Sequence, residues 1–128
     1  NTHFTLRRGQ RQLQSASQIN AHIAGLPPGS AVVVMGDFNA VAETSETWQV
    51  ATAEGLRDAW VVAQHREGPP LTANGFRAPR EGWEGRIDWL LVGGPVVVER
   101  IETVVHSSDG RYPSDHYPVV ASLLFELP

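Results

Sequence analysis

The chain has 128 residues, enough for one modest domain and too few for two. A hydrophobic fraction of 41% with 12 Gly and 9 Pro fits an ordinary globular protein rather than a disordered one. Net charge is -4 and all 10 cations are Arg, so there is no bulk basic field to hold nucleic acid; with no Cys, disulfide scaffolds and thiolate zinc sites are excluded too.

In chain order, "NTHF" at 1–4 reads as a short edge strand, followed by a polar turn at 7–9. Leu13, Ala16, Ile19 (or Asn20), Ile23 and Ala24 then recur at helical spacing, which predicts a helix over 10–25. "GLPPGS" stops it, because Pro cannot donate into a helix and pushes its predecessor out of helical backbone. Residues 31–36 predict a strand buried on both faces. "ETSETWQVATAEG" predicts a second helix, with Thr44 or Ser45 as N-cap and Gly55 at its end. "LRDAWVVAQH" could continue the helix or form a strand, and its Trp and Val content leans towards strand; 66–85, rich in Gly, Pro, Arg and Glu, reads as a long loop of the kind that often carries function. "RIDWLLV", "VVVERIETVV" and "VVASLLFEL" predict three closing strands, with "GGP" as a turn and "HSSDGRYPSDHYP" as a loop. They are close enough in sequence to be antiparallel neighbours.

Polar groups cluster where strands end: Asp37 and Asn39, then Asp88, then Asp115 and His116, with His3 near the start. Singly, each reads most simply as a solvated turn or capping residue. Asp88 is harder to set aside. Alternation in "RIDWLLV" puts Ile87, Trp89 and Leu91 on one face and Arg86, Asp88 and Leu90 on the other, with Asp88 inside the strand. A carboxylate there needs a partner. An Arg would serve, and so would an imidazole, whose tautomer the carboxylate would fix. "SDH" supplies that imidazole in His116. Asp115 is adjacent and points the other way on an extended backbone, so one of the two could face a metal while the other faces substrate.

Four motifs in order, "NTHF" at 1–4, "GDFN" at 36–39, "RIDWLLV" at 86–92 and "SDHYPV" at 114–119, resemble the endonuclease/exonuclease/phosphatase superfamily. Its members include exonuclease III-like repair nucleases, pancreatic deoxyribonuclease, bacterial sphingomyelinases and inositol polyphosphate 5-phosphatases. The resemblance implies an α/β (α+β) fold, a four-layer sandwich of two packed mixed sheets with outer helices. It also implies a metal-dependent phosphoesterase, in which water attacks a phosphodiester or phosphomonoester. By that resemblance Asp37 orients or deprotonates the water, and Asn39 bonds the phosphate or the water. His116 is held by Asp88 as base or electrostatic stabiliser, Asp115 lies at the metal with Asp37, and His3 contacts a phosphate oxygen with Asn1 in support. Hard oxygen ligands suit Mg²⁺ (or Mn²⁺).

The family's domain is roughly twice as long, and its first half carries an Asn and a metal-binding Glu. Residues 1–128 therefore read as a single partial domain, the C-terminal half, weakly active or inactive alone. Its uncovered strand edges would be met by the missing N-terminal half or by a homo-oligomer. The substrate is a phosphate ester, small molecule, lipid or nucleic acid. A Mg-dependent endo- or exonuclease is the first alternative; Arg77, Arg80 and Arg86 could then contact a phosphate, though solvated loop charges are the commoner reading, and Phe76 and Trp83 could stack on a base, cover a lipid or pack into the other half's core. A non-catalytic binding domain on the same fold is the second. Apolar runs of about five residues fall far short of the ~20 that span a bilayer, so no stable membrane insertion is expected; the compartment, cytoplasmic or exported, stays open.

Overall fold

A computed structural model describes residues 1–7 and 9–126, which form two mixed β-sheets with helices. The middle of the expected turn at 7–9 and the last residue of the expected closing strand lie outside the described residues. The elements are β1 (Thr2–His3), α1 (Gln10–Ala24), β2 (Val32–Asp37), α2 (Glu46–Thr52), β3 (Arg57–Asp58), α3 (Ala59–Val62), β4 (His65–Glu67), β5 (Asp88–Gly93), β6 (Val96–Thr103) and β7 (Val119–Phe125). One sheet runs β1-β2-β5-β3 and the other β4-β6-β7. Each contains one parallel pair, β1 with β2 and β4 with β6, among antiparallel ones.

The first sheet packs α1 and α2 against one face, around Phe4, Phe38, Trp89, Leu91 and Leu56. Its other face meets the second sheet through Leu90, Val92, Val96, Val98 and Ile101. β5 is thus buried on both sides, as its unbroken apolar run requires. β6 and β7 are antiparallel neighbours as expected, whereas β5 and β6 are not: the Gly94–Pro95 turn carries the chain from one sheet to the other. Val120 and Leu124, on the outer face of β7, are exposed.

Helix α1 carries polar struts inside its apolar stripe. Buried Gln12 donates through Nε2 to the carbonyls of Thr5 (2.9 Å) and Asn39 (3.0 Å), and Asn20 donates to Val50 O (2.7 Å). These bonds fix the helix to the turn after β2 and to α2. Ser45 is the cap of α2, its Oγ accepting from Trp48 N–H.

Two expectations change. "LRDAWVVAQH" is not one strand but β3, a single helical turn and the start of β4. Asp58 decides this: its carboxylate accepts from Trp60 N–H, starting α3, and also holds Arg86 and Trp48 Nε1. And Asp88 is the first residue of β5, not an interior one.

Candidate active site

β1, β2 and β5 lie side by side in register, with His3 opposite Asp37 and Asp37 opposite Asp88. Opposed residues share a face, so the three polar side chains stand in one row across three strands. The next residue of each strand, Phe4, Phe38 and Trp89, points the other way into the helix-side core. Phe38 stacks on Trp89 and meets Phe4 edge-on. "HF", "DF" and "DW" are therefore one alternation used three times.

The close approach of β1 depends on Gly36. Its φ is +146°, and a Cβ there would lie 1.8 Å from the Thr2 carbonyl oxygen. After Asp37 the chain turns through Asn39, whose φ is +49°. Asn39 N–H donates to Asp37 Oδ1 at 2.7 Å, and its side-chain Nδ2 donates to Phe4 O at 2.7 Å. Asn39 is buried, so its side chain supports the row from behind.

His116 enters from the loop before β7. Its Nδ1 lies 2.8 Å from Asp88 Oδ2, and His3 Nε2 lies 3.4 Å from Asp37 Oδ2. One ligand atom from each of Asp37, Asp88 and His116 lies within 4.8 Å of the others, and all three side chains are partly accessible. A cleft of about 250 Å³ between the sheets reaches Asp37 and Asp88 and is bordered by Asn1, Leu90 and Tyr117. A larger hollow of about 920 Å³ runs between α1 and the outer edge of β2; it touches His3 but neither Asp88 nor His116, so its size does not make it the chemical site.

The donor set fits a hard divalent ion in kind: two carboxylates and an imidazole, with room for water or phosphate oxygens. Asp88 Oδ2 is engaged by His116 and Asp37 Oδ1 by Asn39 N–H, so the oxygens turned to a cation are Asp88 Oδ1 and Asp37 Oδ2, the latter beside His3. Asp115 stands outside this group. It is exposed, and its carbonyl accepts the N–H groups of Asn74 (2.7 Å) and Gly75 (3.0 Å).

Arg86 corrects another expectation. It is not a phosphate contact of the loop but a buried cation, bonded to both oxygens of Asp58 (3.2 and 2.9 Å) and to Glu43 (2.9 Å), beneath the Trp60 ring. Phe76 is largely exposed, and Arg80 lies over Trp83 in the same loop. Buried Tyr117, next to His116, donates its hydroxyl to Arg77 O, and burial, with Tyr112 adding to it, raises its phenol above the ordinary value.

Sequence reasoning missed Thr72. Fully buried, it joins the segment after Pro70 to Ile87 and Asp88 on one side and to Tyr117, the neighbour of His116, on the other. Nothing in "LTAN" marks it.

The sequence profile of the Endonuclease/Exonuclease/phosphatase family matches residues 1–116. The chain belongs to that family. Among solved structures it is similar to an endonuclease/exonuclease/phosphatase from Bacteroides vulgatus, at 32% identity and a TM-score of 0.86, covering 98% of this chain and 48% of that one. A mannosyl-6-phosphatase from Bacteroides thetaiotaomicron VPI-5482 shares 26% identity with a TM-score of 0.81, covering 96% of this chain and 49% of that one. A protein of unknown function from Enterococcus faecalis V583 matches at 26% identity and 0.85, covering 98% and 49%. The chain thus spans about half the length of these structures. No curated protein matches it. Family membership makes the chain part of a hydrolytic phosphatase and nuclease fold.

Proposed function

We propose that this chain contributes the catalytic row of a metal-dependent phosphoesterase acting on small phosphate esters. The observation that carries it is the meeting of Asp37, Asp88 and His116, from three distant parts of the sequence, within 4.8 Å. The matched structures are about twice as long, so the activity is proposed for a domain of that size.

Asp88 accepts the Nδ1 proton of His116 and so fixes its tautomer, leaving Nε2 to meet a phosphoryl oxygen or the attacking water. Asp37, held by Asn39 N–H and flanked by His3, orients that water and offers its second oxygen to the metal. His3, exposed at the mouth of the site, donates to a phosphate oxygen, with Asn1 beside it on the cleft. Asp115, exposed on the loop before β7, would be a further acid near the metal. A bound Mg²⁺ (or Mn²⁺) supplies Lewis-acid stabilisation of charge on the phosphoryl oxygens.

The similarity to a mannosyl-6-phosphatase supports a phosphomonoester of a small polar molecule. Net charge of -4, no Lys, and a neutralised Arg86 argue against a polynucleotide. The test compares p-nitrophenyl phosphate, bis-p-nitrophenyl phosphate and nicked plasmid, with Mg²⁺ or EDTA, in a domain of the relatives' full length. Mg²⁺-dependent release from the monoester is expected. Equal turnover in EDTA, or activity on plasmid alone, would refute the assignment.

A further inference from the structure

We propose that Thr72 is a positioning residue for the Asp88–His116 pair, clamping both partners from behind through one buried side chain and one carbonyl. Its Oγ1 accepts two backbone N–H groups, Ile87 at 2.9 Å and Asp88 at 3.1 Å. Its own carbonyl accepts Tyr117 N–H at 2.7 Å, one residue beyond His116. Ala73 then bridges His116 in antiparallel fashion, and Asn74 and Gly75 donate to Asp115 O. No other residue bonds to the main chain on both sides of the pair among the hydrogen bonds of the described residues.

The strand layout shows why a clamp is needed. β3 pairs with β5 at Leu91 and Val92, so among the described residues the flank of β5 facing away from β2 has no strand beside Asp88. Amides there would be buried without an acceptor unless a side chain supplied one. Thr72 supplies one oxygen for two amides. The loop holding His116, in turn, is tied to the body of the protein through Thr72 O and the bonds that follow it. Asp88 and His116 are 28 residues apart in sequence, yet Thr72 bonds the main chain at Asp88 and at the residue after His116. Their 2.8 Å contact is a fixed distance only while Thr72 holds both. Thr is suited to this: its branched Cβ restricts rotation, and its hydroxyl oxygen has two lone pairs for two donors.

The catalytic part of this proposal rests on the phosphoesterase reading; the structural part does not, and the test separates them. NMR on the 128-residue chain at fixed pH should show Ile87 and Asp88 amides protected from exchange relative to Glu81 in the loop, and a low-field His116 Nδ1–H resonance. In Thr72→Val, which keeps the shape and removes the acceptor, that resonance should broaden away while the remaining amide spectrum persists. Thr72→Ser should restore it. In the hydrolytic domain Thr72→Val should lower kcat by about 10- to 100-fold with KM little changed, and Thr72→Ser should recover most of it. The proposal is overturned if Thr72→Val keeps both the resonance and kcat, or if Thr72→Ser is as impaired as Thr72→Val, which would make methyl packing the role. Should Thr72→Val fail to fold, the unsubstituted chain and Thr72→Ser decide: freely exchanging Ile87 and Asp88 amides, or a defective Ser variant, end it. A domain without hydrolysis but with the resonance lost in Val and restored in Ser would remove the phosphoesterase reading and keep the clamp.

Discussion

Phe38 and Trp89 stack with ring centroids 4.2 Å apart and planes inclined by 12°, immediately behind Asp37 and Asp88. The acids are therefore mounted on an aromatic pair that belongs to the core. Trp89→Ala should cost about 3–5 kcal/mol of stability, as for other large core truncations, because it empties the stack and removes the Nε1 bond to Arg86 O. Urea unfolding checks this. A loss below about 1 kcal/mol would mean that the stack carries little load.

Removing the polar members should do the opposite. His116→Ala and Asp88→Asn act on partly exposed groups outside both core clusters, so melting temperature should stay nearly unchanged. Hydrolysis by the full-length domain should fall by about 10²-fold or more for each. The double variant should be little worse than either single one, since the two residues act as a unit. Additive losses would mean independent roles.

Metal binding should follow position. Asp37 belongs to the three-residue group and Asp115 does not. Titration of the 128-residue chain with Mn²⁺, followed by NMR line broadening, should place the effect on Asp37, Asp88 and His116. Asp37→Ala should weaken binding by about 10-fold or more, and Asp115→Ala by less. The reverse order would move the metal to the loop before β7.

Arg86 predicts a different phenotype. Arg86→Met leaves Asp58 buried without its cation and should cost about 3–5 kcal/mol. Arg86→Met combined with Asp58→Asn should recover part of that loss, read as a coupling energy in a double-mutant cycle. No coupling would show that the pair is held apart by other contacts.

Tyr117 sets an alkaline limit. Its phenol is raised in the folded chain, chiefly by burial, so the unfolded chain loses this proton first as pH rises. Its contribution is fully present below the ordinary value of about 10 and is lost as pH climbs through the raised one. Tyr117→Phe should flatten the fall in melting temperature above about pH 10. An unchanged alkaline slope would assign it to other groups.

How much of this was legible beforehand depends on the kind of signal. The helix over 10–25 was written in periodicity and the strand over 31–36 in an unbroken apolar run, while the cost of a carboxylate on a strand called for a partner to Asp88, either an Arg or an imidazole, and the family motifs pointed to His116. The role of Arg86 was not legible, because an Arg in a polar loop and an Arg buried on an Asp 28 residues away look alike in one dimension. The short helix at 59–62 escaped because a single capping carboxylate, Asp58, outweighed the strand preference of Trp60, Val61 and Val62. Thr72 gave no signal at all: its value lies in which amides its hydroxyl meets.

β1 ends one sheet and β7 the other, and β1 covers β2 only at Gly36 and Asp37. Along Val32–Met35 β2 has no strand on β1's side among the described residues, and Met35 is 46% exposed there. The outward amides and carbonyls of that stretch form a template on which one further extended segment can pair.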